Sequence, residues 1–195
     1  MVQIAGAALP GVVLCFSAMV LLLFVSVSEP TWDKVSFLNV RMDNGTTHYG
    51  CFGYTNHDVG IGYFFSNDRL NSRILHNLTK TLILHPIACG LAGIALAFGI
   101  FGAAFHRIGT IVMALIAGLA FLTCFVAWVI DMILFGIARQ RYRDEGTWAQ
   151  YGNATWLTLG ALVALLLAFV TSVFAAFGRY RKRRTAEAST SNAPY

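Results

Sequence analysis

Charge is what this sequence has least of. Only 12% of its 195 residues are charged, against about 25% in an ordinary soluble domain. Hydrophobic residues make up 57%, so the chain cannot clothe itself in a water-soluble surface. Cysteine is sparse as well: there are four, with no Cys-x-x-Cys pair, which excludes zinc-ribbon and dithiol-exchange chemistry. Cys15, Cys89 and Cys124 fall in apolar runs and Cys51 in a loop, where it is either a free thiol or an intermolecular link. No His-Glu-x-x-His, no Ser-His-Asp order and no phosphate-binding glycine loop occurs. The reading is a non-enzymatic protein with no catalytic, cofactor-binding or metal residues.

What the sequence does have is long apolar runs. Residues 4–28, 82–105, 108–137 and 155–178 are each long enough for a bilayer core of ~30 Å, which needs about 20 helical residues. Only Asp131 interrupts them with a formal charge. The expected fold is an all-α membrane protein, a four-transmembrane-helix bundle spanning residues 1–178. Loops 29–81 and 138–154 join the spans on one side, and 179–195 form a short basic tail. Ser26 and Ser28 would suit cleavage before Glu29. The first run, however, exceeds the ~7–15 residues of a signal h-region and lacks a basic n-region, so it reads as a retained helix.

The net charge of +5 is concentrated in the tail, at Arg179, Arg181, Lys182, Arg183 and Arg184. A basic cluster beside a span is a membrane-surface feature that meets anionic lipid, and nothing here suggests a nucleic-acid-binding face. Dense positive charge next to a span favours the cytoplasm. The sequons at Asn44, Asn77 and Asn153 all lie on the loop side. Both termini are therefore expected in the cytosol and the loops outside. Asn44 is the glycosylation candidate, because Asn77 and Asn153 sit too close to the bilayer.

The first loop has its own pattern. Residues 35–42 and 46–54 read as strands around the turn Asp43-Asn44-Gly45, and 61–65 as a third. Leu70, Ile74, Leu78 and Leu82 then recur every four residues, as in a juxtamembrane helix running into the second span. A small extracellular β-sheet plus this helix is expected, with balanced charge.

In lipid, helices pack through small residues that let backbones approach. Gly160, Ala164, Ala168, Ser172 and Ala176 form such a stripe on the fourth span, and Ala95, Gly99 and Ala103 on the second. Asp131 is the sharpest single residue, because an intramembrane carboxylate requires a partner. A loop arginine, or a hydrogen bond to Thr or Trp, is the expected partner, with no second ionisable group expected inside the spans. His48, His57, His76 and His85 cluster towards the loop side. His85, before Pro86, reads as a cap or interface residue.

Several strings carry a family resemblance: Pro30-Thr31-Trp32, Gly50-Cys51-Phe52-Gly53-Tyr54, Gly60-Ile61-Gly62-Tyr63, the Leu-Ile-Leu-His-Pro-Ile run through His85 and Pro86, and Tyr151-Gly152-Asn153-Ala154-Thr155-Trp156. Together they resemble the fungal PalI-type (Rim family) membrane proteins of the ambient-pH response, related to eisosomal Sur proteins and distantly claudin-like. The resemblance implies a plasma-membrane accessory protein that assists a seven-span pH receptor. A self-associating organiser of plasma-membrane domains, a homo-oligomer, is the alternative. Members often carry two loop cysteines and long tails; this chain has Cys51 and a short basic stretch.

Overall fold

The computed structural model describes residues 9–32, 34–42, 45–56, 58–65, 73–104 and 107–191. Side chains are described within these, excluding 73–75, 103–104, 107–108 and 176–191. Among the described residues four helices are long and apolar enough to cross a membrane, over Leu9–Ser26, His76–Gly102, Gly109–Asp144 and Asn153–Ala175. Helices suit these runs because a spanning backbone must satisfy its hydrogen bonds internally. The helices are α1 (Leu9–Ser26), α2 (Arg73–Lys80), α3 (Leu84–Ala104), α4 (Arg107–Asp144) and α5 (Asn153–Ser191). A 3₁₀ turn, Thr81–Ile83, links α2 to α3, so the juxtamembrane helix does feed the second span.

The spans form a square in which α1 packs on α3 and α5, and α4 packs on the same two. Its interior is built largely from alanine: Ala18, Ala88, Ala92, Ala120 and Ala161 meet around Leu22 and Leu165. On α5, Ala164, Ala168 and Ser172 are buried. Gly160 is exposed at the rim, where an added methyl would only touch Leu21 at 3.6 Å. The side chain of Ala176 lies outside the described residues. The four-residue stripe drifts off the interface because a helix repeats every 3.6 residues; the buried face instead runs through Thr158, Ala161, Leu165, Ala168 and Ser172. On α3, Ala95 and Gly99 are buried, and Gly102 faces Gly109 of α4 so closely that a methyl on either would strike the other's backbone.

Above the bundle sits a three-stranded antiparallel sheet of β1 (Leu38–Met42), β2 (Gly45–Tyr49) and β3 (Ala149–Tyr151), in the order β2-β1-β3. Leu38 pairs with Tyr49 on one side and Tyr151 on the other. The hairpin closes at Met42 and Gly45; Asp43 and the glycosylation candidate Asn44 lie outside the described residues. The third strand thus comes from the second loop, and 61–65, expected as a strand, is not one. That segment bends at Ile61 and Gly62, the latter with φ 76°, and buries Tyr63 and Phe65 while exposing Ile61 and Phe64. Alternation fixed its buried face, but the partner at the sheet edge was taken by a segment about a hundred residues away.

α4, at 38 residues, is the post on which the sheet stands. Tyr142, near its end, is hydrogen-bonded hydroxyl to hydroxyl with Tyr49 of β2 at 2.8 Å. Phe135 stacks on Phe37 at 5.0 Å, with the rings 3° from parallel. One apolar core therefore runs from the sheet into the helices through Val25, Leu82 and Leu134.

Candidate functional site

The densest chemistry lies where the sheet meets the bundle. Pro86 has no N–H to give the Leu82 carbonyl four residues back, so this carbonyl is open to other donors. It receives the Cys51 thiol at 3.3 Å and sits 3.0 Å from Nδ1 of His85, a distance at which the imidazole N–H donates. The opposite ring nitrogen, Nε2, then points into the bundle, 3.0 Å from Oδ2 of Asp131 on α4.

Both side chains of that pair are shut off from solvent, at 0% and 1% exposure. The contact has ion-pair distance without hydrogen-bond alignment. This corrects two expectations. The partner of Asp131 is neither a loop arginine nor a Thr or Trp, and the spans do hold a second ionisable group. The signal was present in the sequence. His85 lies about 5 Å inside one end of its apolar run and Asp131 about 9 Å inside the matching end of its own, at 1.5 Å per residue.

The sheet caps the pair. Phe37 meets the His85 ring edge-on, with centroids 5.3 Å apart, and Cys51 is buried. Burial in this position makes Cys51 a free thiol and leaves it inaccessible as an intermolecular link. Tyr63, in the loop above, donates its hydroxyl to the Gly50 carbonyl at 3.1 Å. Burial pushes its phenol well above the usual range, helped by Cys51 and Tyr49 nearby. A second carboxylate, Glu29, is also buried; it accepts a hydrogen bond from Thr55 at 2.7 Å. Among the described residues no three His, Cys, Asp or Glu side chains gather as metal ligands. His48 is engaged with Asn39 at 2.7 Å and His76 stacks on Phe64 at 4.1 Å; His57 lies outside the described residues.

The other motif residues are joints. Gly50 lies against the backbone of Glu29, and Gly152 against that of Ser36, each with no space for a methyl. Gly53 packs on Pro30, and Tyr54 on the rings of Tyr49 and Tyr63. Asn153 clamps the strand leading to β1. Its Oδ1 accepts from the Ser36 amide at 3.1 Å, and its Nδ2 donates to the Lys34 carbonyl at 2.7 Å. That side-chain amide is thus engaged by the backbone at both ends. Trp32 and Trp156 are exposed, as is Trp148, and amphipathic indoles of this kind favour the membrane–water boundary.

The buried motif residues therefore share one job: they lock the sheet onto the bundle and seal His85 against Asp131. A model of the SUR7/PalI family matches residues 7–171, which takes in the first three spans, most of the fourth, the sheet and every one of these joints. The chain is a SUR7/PalI family protein. Comparison with the curated proteins finds no significant match. As a member of this family it is a multi-pass membrane protein, and the sealed His85–Asp131 pair lies within the matched region.

Proposed function

We propose that this SUR7/PalI protein is a non-enzymatic accessory protein of the plasma membrane that assists a seven-span ambient-pH receptor. In this reading both termini are cytoplasmic and the sheet faces outward. The observation that carries the reading is a surface one. Val59, Ile61 and Phe64 stand 65%, 59% and 54% exposed on the sheet domain. An apolar patch held on a rigid base suits docking to another protein. The second reading, a self-associating organiser of membrane domains, is favoured by Gly90 and Gly160. Both are exposed on the bundle, and such glycines permit close helix approach between copies.

Gentle detergent extraction followed by mass spectrometry separates the two. A seven-span protein as the main co-purifying species, lost in an Ile61→Asp/Phe64→Asp variant, supports the accessory role. Homo-oligomers without such a partner support the organiser.

A further inference from the structure

An open groove of about 630 Å³ runs along the outer side of α4 where it leaves the membrane. That volume falls in the range of small-molecule sites, about 300–1,000 Å³. Its deeper part is apolar, with Met132, Ile133 and Ile137; its upper part carries Arg139 and Arg143, with Tyr151 of β3 beside them. From Met132 to Ile137, where the apolar run ends, the helix rises about 7.5 Å, about half of the ~15 Å half-thickness of a bilayer core, and Arg143 lies a further ~9 Å along the helix. The groove thus changes from hydrocarbon-like to cationic across the boundary between the outer acyl region and the headgroups of one leaflet.

Arg139 is the unusual residue. Its guanidinium stacks over the Tyr151 ring at 5.1 Å, while its Nε–H is buried with no acceptor among the described residues. A guanidinium stacked by its face keeps its in-plane N–H fork for an oxyanion, and phosphate fits that fork in two places at once. Arg143 is steadied by the bond from its Nε to the Ala149 carbonyl at 3.1 Å, leaving its terminal N–H groups at the same mouth. Asp144 also lines the upper part, so the mouth is two cations beside one anion. That pattern complements a headgroup with a phosphate and an outlying amine.

We propose that this groove binds one phospholipid from the leaflet on the sheet side, with its phosphate on Arg139 and Arg143 and an acyl chain along Met132, Ile133 and Ile137. The proposal is independent of which partner the sheet domain serves. A lipid seated there would bridge α4 and β3, and so brace the sheet on its post.

Native mass spectrometry of the full-length protein, released from vesicles of phosphatidylethanolamine and phosphatidylcholine, tests this. Wild type should keep one phospholipid per chain through detergent exchange. Arg139→Gln should lower that occupancy about ten-fold, as expected for loss of a charge-assisted pair, and Arg139→Lys should restore part of it. Gly136→Leu, which fills the apolar part of the groove, should also lose the lipid; circular dichroism checks that each variant is folded. Equal retention by folded wild type, Arg139→Gln and Gly136→Leu would overturn the proposal. So would displacement by inorganic phosphate as efficient as that by added phospholipid, because the ligand would then be the free anion.

Discussion

His85 Nε2 lies 3.0 Å from Asp131 Oδ2, and the pair is buried at the level where the sheet meets the spans. Removing one member of a buried pair strands the other. Asp131→Leu should therefore destabilise the bundle by about 3–5 kcal/mol, and adding His85→Phe should recover much of the loss. Asp131→Asn should cost far less. With Nδ1–H given to Leu82, a neutral His85 can accept the new amide N–H at Nε2. Thermal melts of the purified protein and its steady-state abundance measure all three. An Asn variant that is fully abundant yet inactive would instead make the carboxyl a working proton carrier.

Gly152→Ala should cost about 1–3 kcal/mol, the range for forcing extra carbon into a packed site. The added methyl would meet the Ser36 carbonyl and disturb two bonds, Gly152 N–H to the Phe37 carbonyl at 2.8 Å and Ala154 N–H to the Ser36 carbonyl at 3.0 Å. Gly60→Ala, with nothing within 4 Å, is the control and should melt like wild type. The reading of the Gly-Asn joint fails if the two variants melt alike.

Tyr63 should make the sheet domain sensitive to strong alkali. Its phenol is held above the usual value by burial, so the folded state keeps a proton that the unfolded state releases near pH ~10. The contribution is whole below that pH and is lost as pH rises from there through the folded value. Tyr63→Phe gives up the bond to Gly50 and should melt lower at pH 7, with a smaller further drop towards pH 11. Parallel melting curves for the two proteins over that range would refute it.

Ala168 is fully buried among Cys15, Ala95, Met113 and Ala117, whereas Leu166 is 41% exposed on the outside of α5. Ala168→Leu should therefore cost about 1–3 kcal/mol through overpacking. Leu166→Ala should stay within about 0.5 kcal/mol, as for other surface changes. Yield and melting temperature after detergent extraction report both.

Four spans, a loop hairpin and a helix leading into the second span could be read from the sequence, because each is set by local pattern: runs of apolar residues, a Gly-bearing turn, a four-residue repeat. The intramembrane carboxylate was legible for the same reason, since a charge in a hydrocarbon run stands out. The joints were legible only as strings. Gly152-Asn153 and His85-Pro86 were recognisable from the resemblance, but not their contacts with Ser36, Lys34 and Leu82.

Tertiary structure decided the rest. The third strand is Ala149–Tyr151 because strand pairing is a long-range choice, and the free edge of β1 lies where the end of α4 delivers the second loop. His85, not an arginine, answers Asp131 because α3 and α4 pack side by side and set the two residues at one depth. The α5 stripe loses Gly160 to the surface because 3.6 residues per turn carry a four-residue repeat around the helix. Sequence by itself determined that the chain enters the membrane and how often, which depends on the solvent each segment tolerates. Which buried polar groups meet depended on packing, and packing exists only once the helices are assembled.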